Sequence, residues 1–226
     1  MAVILPIASL ILLVLIGSKL FHYRREALLA ALMAWALIVT VLTEVLSLIG
    51  GLNAILLTLG WLAVTAGLAF FLWQAYGPRL LKAAPHHWFS PNAFIDLPAT
   101  LKLSTVLLTL ALLAIGATAV IAAPNHSDSM EYHLSRVMHW IQNGSVAHYP
   151  SHNIFQLYQN PWSEFAIAHL QILSHSDRFS GSVQWVSMLG SMFGTSLIAK
   201  ELGARRNGQI LAGIFAATMP MAVLQG

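Results

Sequence analysis

Long apolar stretches recur along this chain and restrict its fold more than any other feature. They lie at 2–21, 27–46, 52–76, 103–123, 181–199 and 208–225. The hydrocarbon core of a bilayer takes roughly 20 apolar residues per helix, so each stretch predicts a membrane-spanning α-helix. Charged residues make up only 8% of the chain, whereas soluble domains carry about 25%. The sequence therefore predicts an all-α, polytopic transmembrane helical bundle of about six spans and excludes water-soluble folds.

Basic residues occur in alternate connections between these stretches and set the predicted orientation. Arg25 follows the first stretch, Lys82 the third and Arg205 the fifth. Connections rich in Lys and Arg stay on the cytoplasmic side. We therefore expect the N-terminus and the 124–180 loop on the outer face. In a bacterial inner membrane, the location that we favour, this is the periplasmic face.

The chain divides into three parts on this interpretation. Residues 1–76 form three leading transmembrane helices, and 77–102 form a Pro-punctuated cytoplasmic linker. Residues 103–226 form a second module, with one span, the 124–180 loop and two further spans. The sixth stretch finishes at the last residues without a polar tail, from which we expect a longer protein.

The 124–180 loop is too long for a simple connector and should have structure of its own. It holds seven of the ten histidines. Residues 128–143 have the apolar spacing of an amphipathic surface helix that Gly144 ends as a C-cap. Its polar side chains, including Arg136, are expected to face water or head groups. A second helix, too short to span, is predicted at 161–174, opened by Pro161.

Asp128 admits two compatible interpretations. It can be the N-cap of the first loop helix, with Glu131 three residues later completing a capping box. It can also be a catalytic carboxylate, because it follows a span closely and so lies at the membrane boundary. A carboxylate fixed at the start of a rigid helix is well placed for base catalysis.

The order of three segments along the chain resembles that of a known family. After the 103–123 stretch come Asp128-Ser-Met-Glu131-Tyr132, then Asn160-Pro-Trp-Ser-Glu164, then Ser187-Met-Leu-Gly through Gly203-Ala-Arg-Arg206. Residues 103–226 resemble the N-terminal part of GT-C membrane glycosyltransferases, in particular the dolichyl-phosphate-mannose-protein mannosyltransferase-like and aminoarabinose-transferase-like group. That family has adjacent acids or Asp-x-Asp, whereas here the two carboxylates are three residues apart.

The resemblance implies transfer of a sugar from a polyprenyl-phosphate donor to a glycan, lipid or protein acceptor at the outer face. It assigns the general base to Asp128 and a second carboxylate to Glu131. Arg136 is the candidate cation for the departing phosphate. The candidate substrate-binding residues are Tyr132, His133, Arg136, His139, His148 and His152. A divalent cation is the one cofactor to consider, and no nucleic-acid partner is expected.

The histidines do not predict a metal site. His148 and His152 have helical spacing, but Pro150 lies between them. The chain also has no cysteine, which excludes disulfides and thiolate ligands.

Two other functions stay open. A transporter or flippase needs charged residues inside its spans, where Glu44 is nearly alone. A structural assembly subunit of a cell-envelope glycan pathway would use the loop helices as docking surfaces.

Overall fold

Helices account for all the regular structure in the part of the chain that the computed structural model describes, residues 2–80, 94–124 and 126–219. The nine α-helices of these ranges are α1 (Ile4–Leu20), α2 (Arg24–Leu48), α3 (Ala54–Leu80), α4 (Ala99–Ile121), α5 (Leu134–Asn143), α6 (Phe155–Tyr158), α7 (Trp162–Ser174), α8 (Ser180–Glu201) and α9 (Arg206–Ala217). A π-helical turn, Ser129–His133, leads into α5. The all-α prediction is confirmed.

Three of the helices are long and apolar enough to cross a membrane: α2, the Ala54–Gly77 part of α3, and α4. The apolar helix α1 is shorter, at 17 residues. Large apolar side chains on these helices, such as Phe70 and Leu103, point away from the protein with more than half of their surface exposed. An exterior this apolar requires lipid around it. The helices therefore indicate a multi-pass membrane protein.

The last two predicted spans correspond to α8 and α9. At 22 residues α8 is long enough to span, but its five serines and one threonine make it less apolar than the three helices above. Helix α9 ends at Ala217, and 220–226 lie outside the described residues. The predicted linker is shortened on both sides because α3 continues to Leu80 and α4 begins at Ala99. Its central part, 81–93, is also outside the described residues.

Close helix approach occurs between α4 and α8. A Cβ on Gly116 would lie 2.6 Å from the ring of Trp185, whose indole N–H donates to the Leu112 carbonyl at 2.9 Å. The Gly190 and Gly194 pair of α8 meets leucines of α2 at ordinary contact distances. Helix α8 therefore packs tightly on α4 at Gly116.

The two ends of α2 meet different partners. At its start, Arg25 donates to Ser196 and, at 2.7 Å, to Gln209, which joins α2 to α8 and α9. At its other end, the turn into α3 meets the loop turn after α5, where the Leu52 N–H donates to the Gly144 carbonyl at 2.9 Å. The predicted inner connections and the predicted outer loop therefore lie at opposite ends of α2.

The main buried cluster lies where the loop packs on the leading helices. Trp140 of α5 and Phe165 and Leu173 of α7 join Val39 of α2 and Trp61 of α3. Helix α7 matches its prediction closely and, at 13 residues, is too short to span. The loop is thus a packed layer on the ends of α2 and α3, which fixes the positions of its polar side chains.

Candidate functional site

The predicted catalytic carboxylates lie on exposed turns at the start of the first loop helix. Asp128 has helical dihedral angles (φ −59°, ψ −41°), and its side chain makes no capping hydrogen bond. A residue that caps a helix needs a non-helical backbone. The prediction of an N-cap at Asp128 with a capping box to Glu131 is therefore wrong. What holds Glu131 is its backbone carbonyl, which accepts from the Gln156 amide at 2.8 Å.

Tyr132 lies on the π-helical turn between these carboxylates and the rest of the site. Its ring centroid is 4.2 Å from that of His133 and 5.7 Å from that of Phe155. Burial, followed by the negative charges of Asp128 and Glu164, raises the pKa of the Tyr132 phenol. Tyr132 is therefore a neutral hydroxyl donor close to two anions.

A buried carboxylate at the start of α7 anchors the centre of the site. Glu164 has no exposed surface. Its Oε1 lies 2.7 Å from His133 Nδ1 and 3.3 Å from an Arg136 nitrogen, and its Oε2 accepts from the Ser163 hydroxyl at 2.8 Å. Because an ionised carboxylate only accepts, His133 carries its proton on Nδ1 and donates it. We call these four residues the Glu164 cluster.

Glu164 is an anion at neutral pH despite its burial. Burial by itself raises the pKa of its carboxyl. Hydrogen bonds from His133, Ser163 and the Glu164 backbone N–H act in the opposite direction, together with the positive charge of Arg136, and the resulting pKa lies below the usual value. The cluster is therefore a buried, compensated ion pair with a histidine at its edge.

Arg136 is buried, with 1% of its surface exposed, although the sequence predicted that it faces water or head groups. That prediction is wrong. Its two terminal nitrogens donate to the backbone carbonyls of Gln159 at 3.0 Å and Phe155 at 2.7 Å. With Glu164 as counter-ion, these carbonyls replace the water that a buried guanidinium loses. Helix α5 therefore turns Arg136, Val137 and Trp140 inward.

The remaining predicted histidines do not converge. His139 is exposed and stacks on Tyr149, with ring centroids 4.2 Å apart. His148 and His152 are exposed on the segment that follows α5. Within the described residues, no three His, Asp or Glu side chains are grouped so that they could hold a metal ion.

A cavity of about 380 Å³ lies beside the Glu164 cluster, between the outer end of α2 and the loop. We call it the outer cavity. Its wall includes Glu44 and Ser47 of α2, Arg136 of α5, and residues of the 146–149 segment, of α6 and of the start of α7. Of the predicted site residues, only Arg136 and His148 line it. Asp128, Glu131, Tyr132 and His133 lie outside its lining.

A second buried polar group ties α7 to the leading helices. His169 is fully buried and accepts at Nδ1 from the Trp61 indole N–H at 3.2 Å, while its Nε2 lies 2.9 Å from the Thr43 hydroxyl. Burial lowers the pKa of His169 to about 3. The ring is therefore neutral, with its proton on Nε2, and it joins three helices.

From the sequence alone, no role is assigned to Glu164 or His169, and Glu44 is considered only as a charge inside a predicted span. A pattern signal existed for Glu164, which follows Pro161 in the first turn of a predicted helix. Its position gave no indication that Arg136 and His133 would be its partners. For His169 there was a weaker signal, because it lies among buried apolar residues of α7.

Comparisons of the chain with protein-family models, with curated proteins and with solved structures find no match.

Proposed function

We propose that this protein is an integral membrane glycosyltransferase. It transfers a sugar from a polyprenyl-phosphate donor to an acceptor at the outer face of the membrane. The observation that carries the proposal is the surface formed by Asp128, Tyr132 and His133, which follows the end of α4 at Ile121 and is backed by the buried Glu164.

The surface offers the groups that this reaction needs. The acceptor hydroxyl oxygen attacks the anomeric carbon of the donor, and its proton passes to the Asp128 carboxylate. The bond from the anomeric carbon to the phosphate oxygen breaks, and its electron pair goes to the phosphate. The neutral Tyr132 hydroxyl is a donor for the charge that develops there.

The Glu164 cluster has a positioning role in this proposal. Arg136 is buried and already makes contacts to Glu164, Gln159 and Phe155, so it is not free to meet the phosphate. It holds Glu164, which in turn fixes the His133 ring beside Tyr132. A side chain locked by such supporting contacts keeps the precise geometry that catalysis needs.

Replacing Asp128 with Asn in the complete protein tests the proposal. We expect sugar transfer from a polyprenyl-phosphate-linked donor to fall by about 100-fold or more, the usual contribution of a positioned base. Thermal stability should not change, because Asp128 is exposed and makes no capping hydrogen bond. Asp177→Asn, which removes another exposed carboxylate of the same loop, is the matched control. Transfer at the wild-type rate in Asp128→Asn would remove Asp128 from the mechanism.

A further inference from the structure

The outer cavity is separate from the Asp128 surface, and its wall has chemistry of its own. At about 380 Å³ it falls in the size range of small-molecule sites, roughly 300 to 1,000 Å³. Its lining includes the rings of Trp140, Tyr149, Tyr158 and Phe165 and the side chain of Gln156. Aromatic walls with a few placed polar groups suit a ligand with apolar C–H faces and hydroxyl edges, such as a sugar ring.

Arg136 contributes little to the surface that a ligand can reach. It is 1% exposed, and its Nε is buried with no hydrogen-bond partner among the described residues. A buried atom has no surface open to the cavity, so a ligand there does not accept from Nε. The charge of Arg136 is already matched by Glu164, which leaves the guanidinium unavailable to an anionic ligand.

The second charged group of the wall selects further among ligands. Glu44 lines the same cavity at the outer end of α2. Its carboxylate adds negative charge and repels a phosphate or carboxylate ligand. It accepts hydrogen bonds well, and vicinal hydroxyls of a sugar can donate to both of its oxygens. The wall therefore favours a neutral, hydroxyl-rich ligand over an anionic one.

The polar wall is held in place before any ligand binds. Gln156 Oε1 accepts from the Tyr149 hydroxyl at 3.0 Å and from the Ser151 hydroxyl at 2.9 Å, and its amide donates to the Glu131 carbonyl at 2.8 Å. Burial raises the pKa of Tyr149, so its hydroxyl stays a donor at neutral pH. A fixed wall lowers the ordering cost of binding.

We propose that the outer cavity binds one neutral monosaccharide unit, with Glu44 accepting from its hydroxyls and the aromatic rings of the wall packing against its C–H face. Asp128 lies outside the lining, so this unit does not react. It belongs to the acceptor, which is therefore a glycan or a glycan-bearing lipid. The assignment to the acceptor rests on the proposed transferase function, whereas the binding of a sugar does not.

Saturation-transfer-difference NMR on the complete protein in detergent tests the binding directly. The probes are free glucose, galactose, mannose and N-acetylglucosamine, with inorganic phosphate as competitor. We expect saturation of the ring protons of at least one sugar, and no displacement by phosphate. Glu44→Gln should weaken binding about tenfold, as loss of a charged acceptor does.

A second variant blocks the cavity without removing a polar contact. Ala147 lines the cavity and is exposed, so Ala147→Trp fills part of the space and should abolish the signal. Glu201→Gln, which removes an exposed carboxylate at the other end of the bundle, is the matched control, and thermal melting verifies that each variant is folded.

The outcomes separate the two proposals. If the ring protons of none of the four sugars are saturated, or if their saturation persists in both cavity variants, the sugar site is overturned. Displacement by phosphate also overturns it, in favour of an anion site. Saturation that is lost in the cavity variants supports the sugar site, and it does so even if Asp128→Asn leaves transfer unchanged and the transferase proposal fails.

Discussion

Individual buried polar residues determine how the helices of the outer loop pack. Arg136 and Glu164 are taken out of water together, and each makes further hydrogen bonds. A buried ion pair contributes little net stability, but loss of one partner leaves a buried charge and typically costs about 3–5 kcal/mol. The pair therefore fixes the register of α5 against α7, since other registers would strand one charge.

His169 is the buried residue whose titration can be observed. It is neutral in the folded protein, where burial lowers its pKa to about 3, whereas in the unfolded chain the pKa is about 6.5. Below pH 6.5 the unfolded chain therefore binds a proton that the folded protein does not. The free energy of unfolding falls as the pH decreases from 6.5 toward 3, by at most about 1.4 kcal/mol per unit.

We predict that His169→Gln removes much of the decrease in stability between pH 7 and pH 5. The pH dependence of the stability is reduced because glutamine does not titrate. Unfolding in detergent, followed by thermal melting at several pH values, measures it. Glu164 does not interfere, because its lowered pKa means that its contribution is lost only at lower pH. His139→Gln, at an exposed histidine, should retain the wild-type slope, and an unchanged slope in His169→Gln would contradict the prediction.

Helix ends and turns carry the contacts between the loop and the leading helices. Gly144 ends α5 in the left-handed conformation (φ 64°), where glycine is favoured because it has no Cβ. The turn also lies against the α2–α3 turn, since a Cβ on Gly144 would be 2.6 Å from the Gly50 carbonyl oxygen. Next to it, the Ser47 hydroxyl lies 2.9 Å from that of Ser145 and accepts from the Val146 N–H.

We predict that Gly144→Ala destabilises the protein more than Gly203→Ala. Both positions have positive φ, and backbone strain alone costs about 1 kcal/mol. Only Gly144 has a neighbour within reach, because nothing lies within 4 Å of a Cβ at Gly203. Chemical or thermal unfolding of the two variants measures the difference. Equal losses would mean that the two turns do not pack as tightly as described.

At the scale of the whole molecule, basic residues of the inner connections and the polar groups of the loop lie at opposite ends of the described helices. Lys200 lies 3.5 Å from Glu26, near Arg25 at the start of α2. The Glu164 cluster and the outer cavity lie at the other end, with the loop. Because basic segments stay cytoplasmic, this arrangement supports the predicted orientation with the loop outside.

Cysteine labelling tests that orientation, because the native chain has no cysteine to interfere. We expect His152→Cys, at an exposed loop position, to react with a membrane-impermeant maleimide in intact cells. Leu202→Cys, which is 82% exposed at the other end, should react only after permeabilisation. The reverse pattern would place the loop inside and remove the basis of the transferase proposal.

Local sequence patterns determined the features that depend on near neighbours. Apolar length predicted long helices, three of which are long and apolar enough to span. Gly144 predicted the end of α5, and Pro161 with the apolar residues after it predicted α7. The tertiary structure alone decided which polar residues are buried. Arg136 and Glu164, or Thr43 and His169, are far apart in sequence, and only packing supplies the partners that offset the loss of water. For that reason Arg136 lies inside. Glu44 and the loop, which are far apart in sequence, line the same outer cavity.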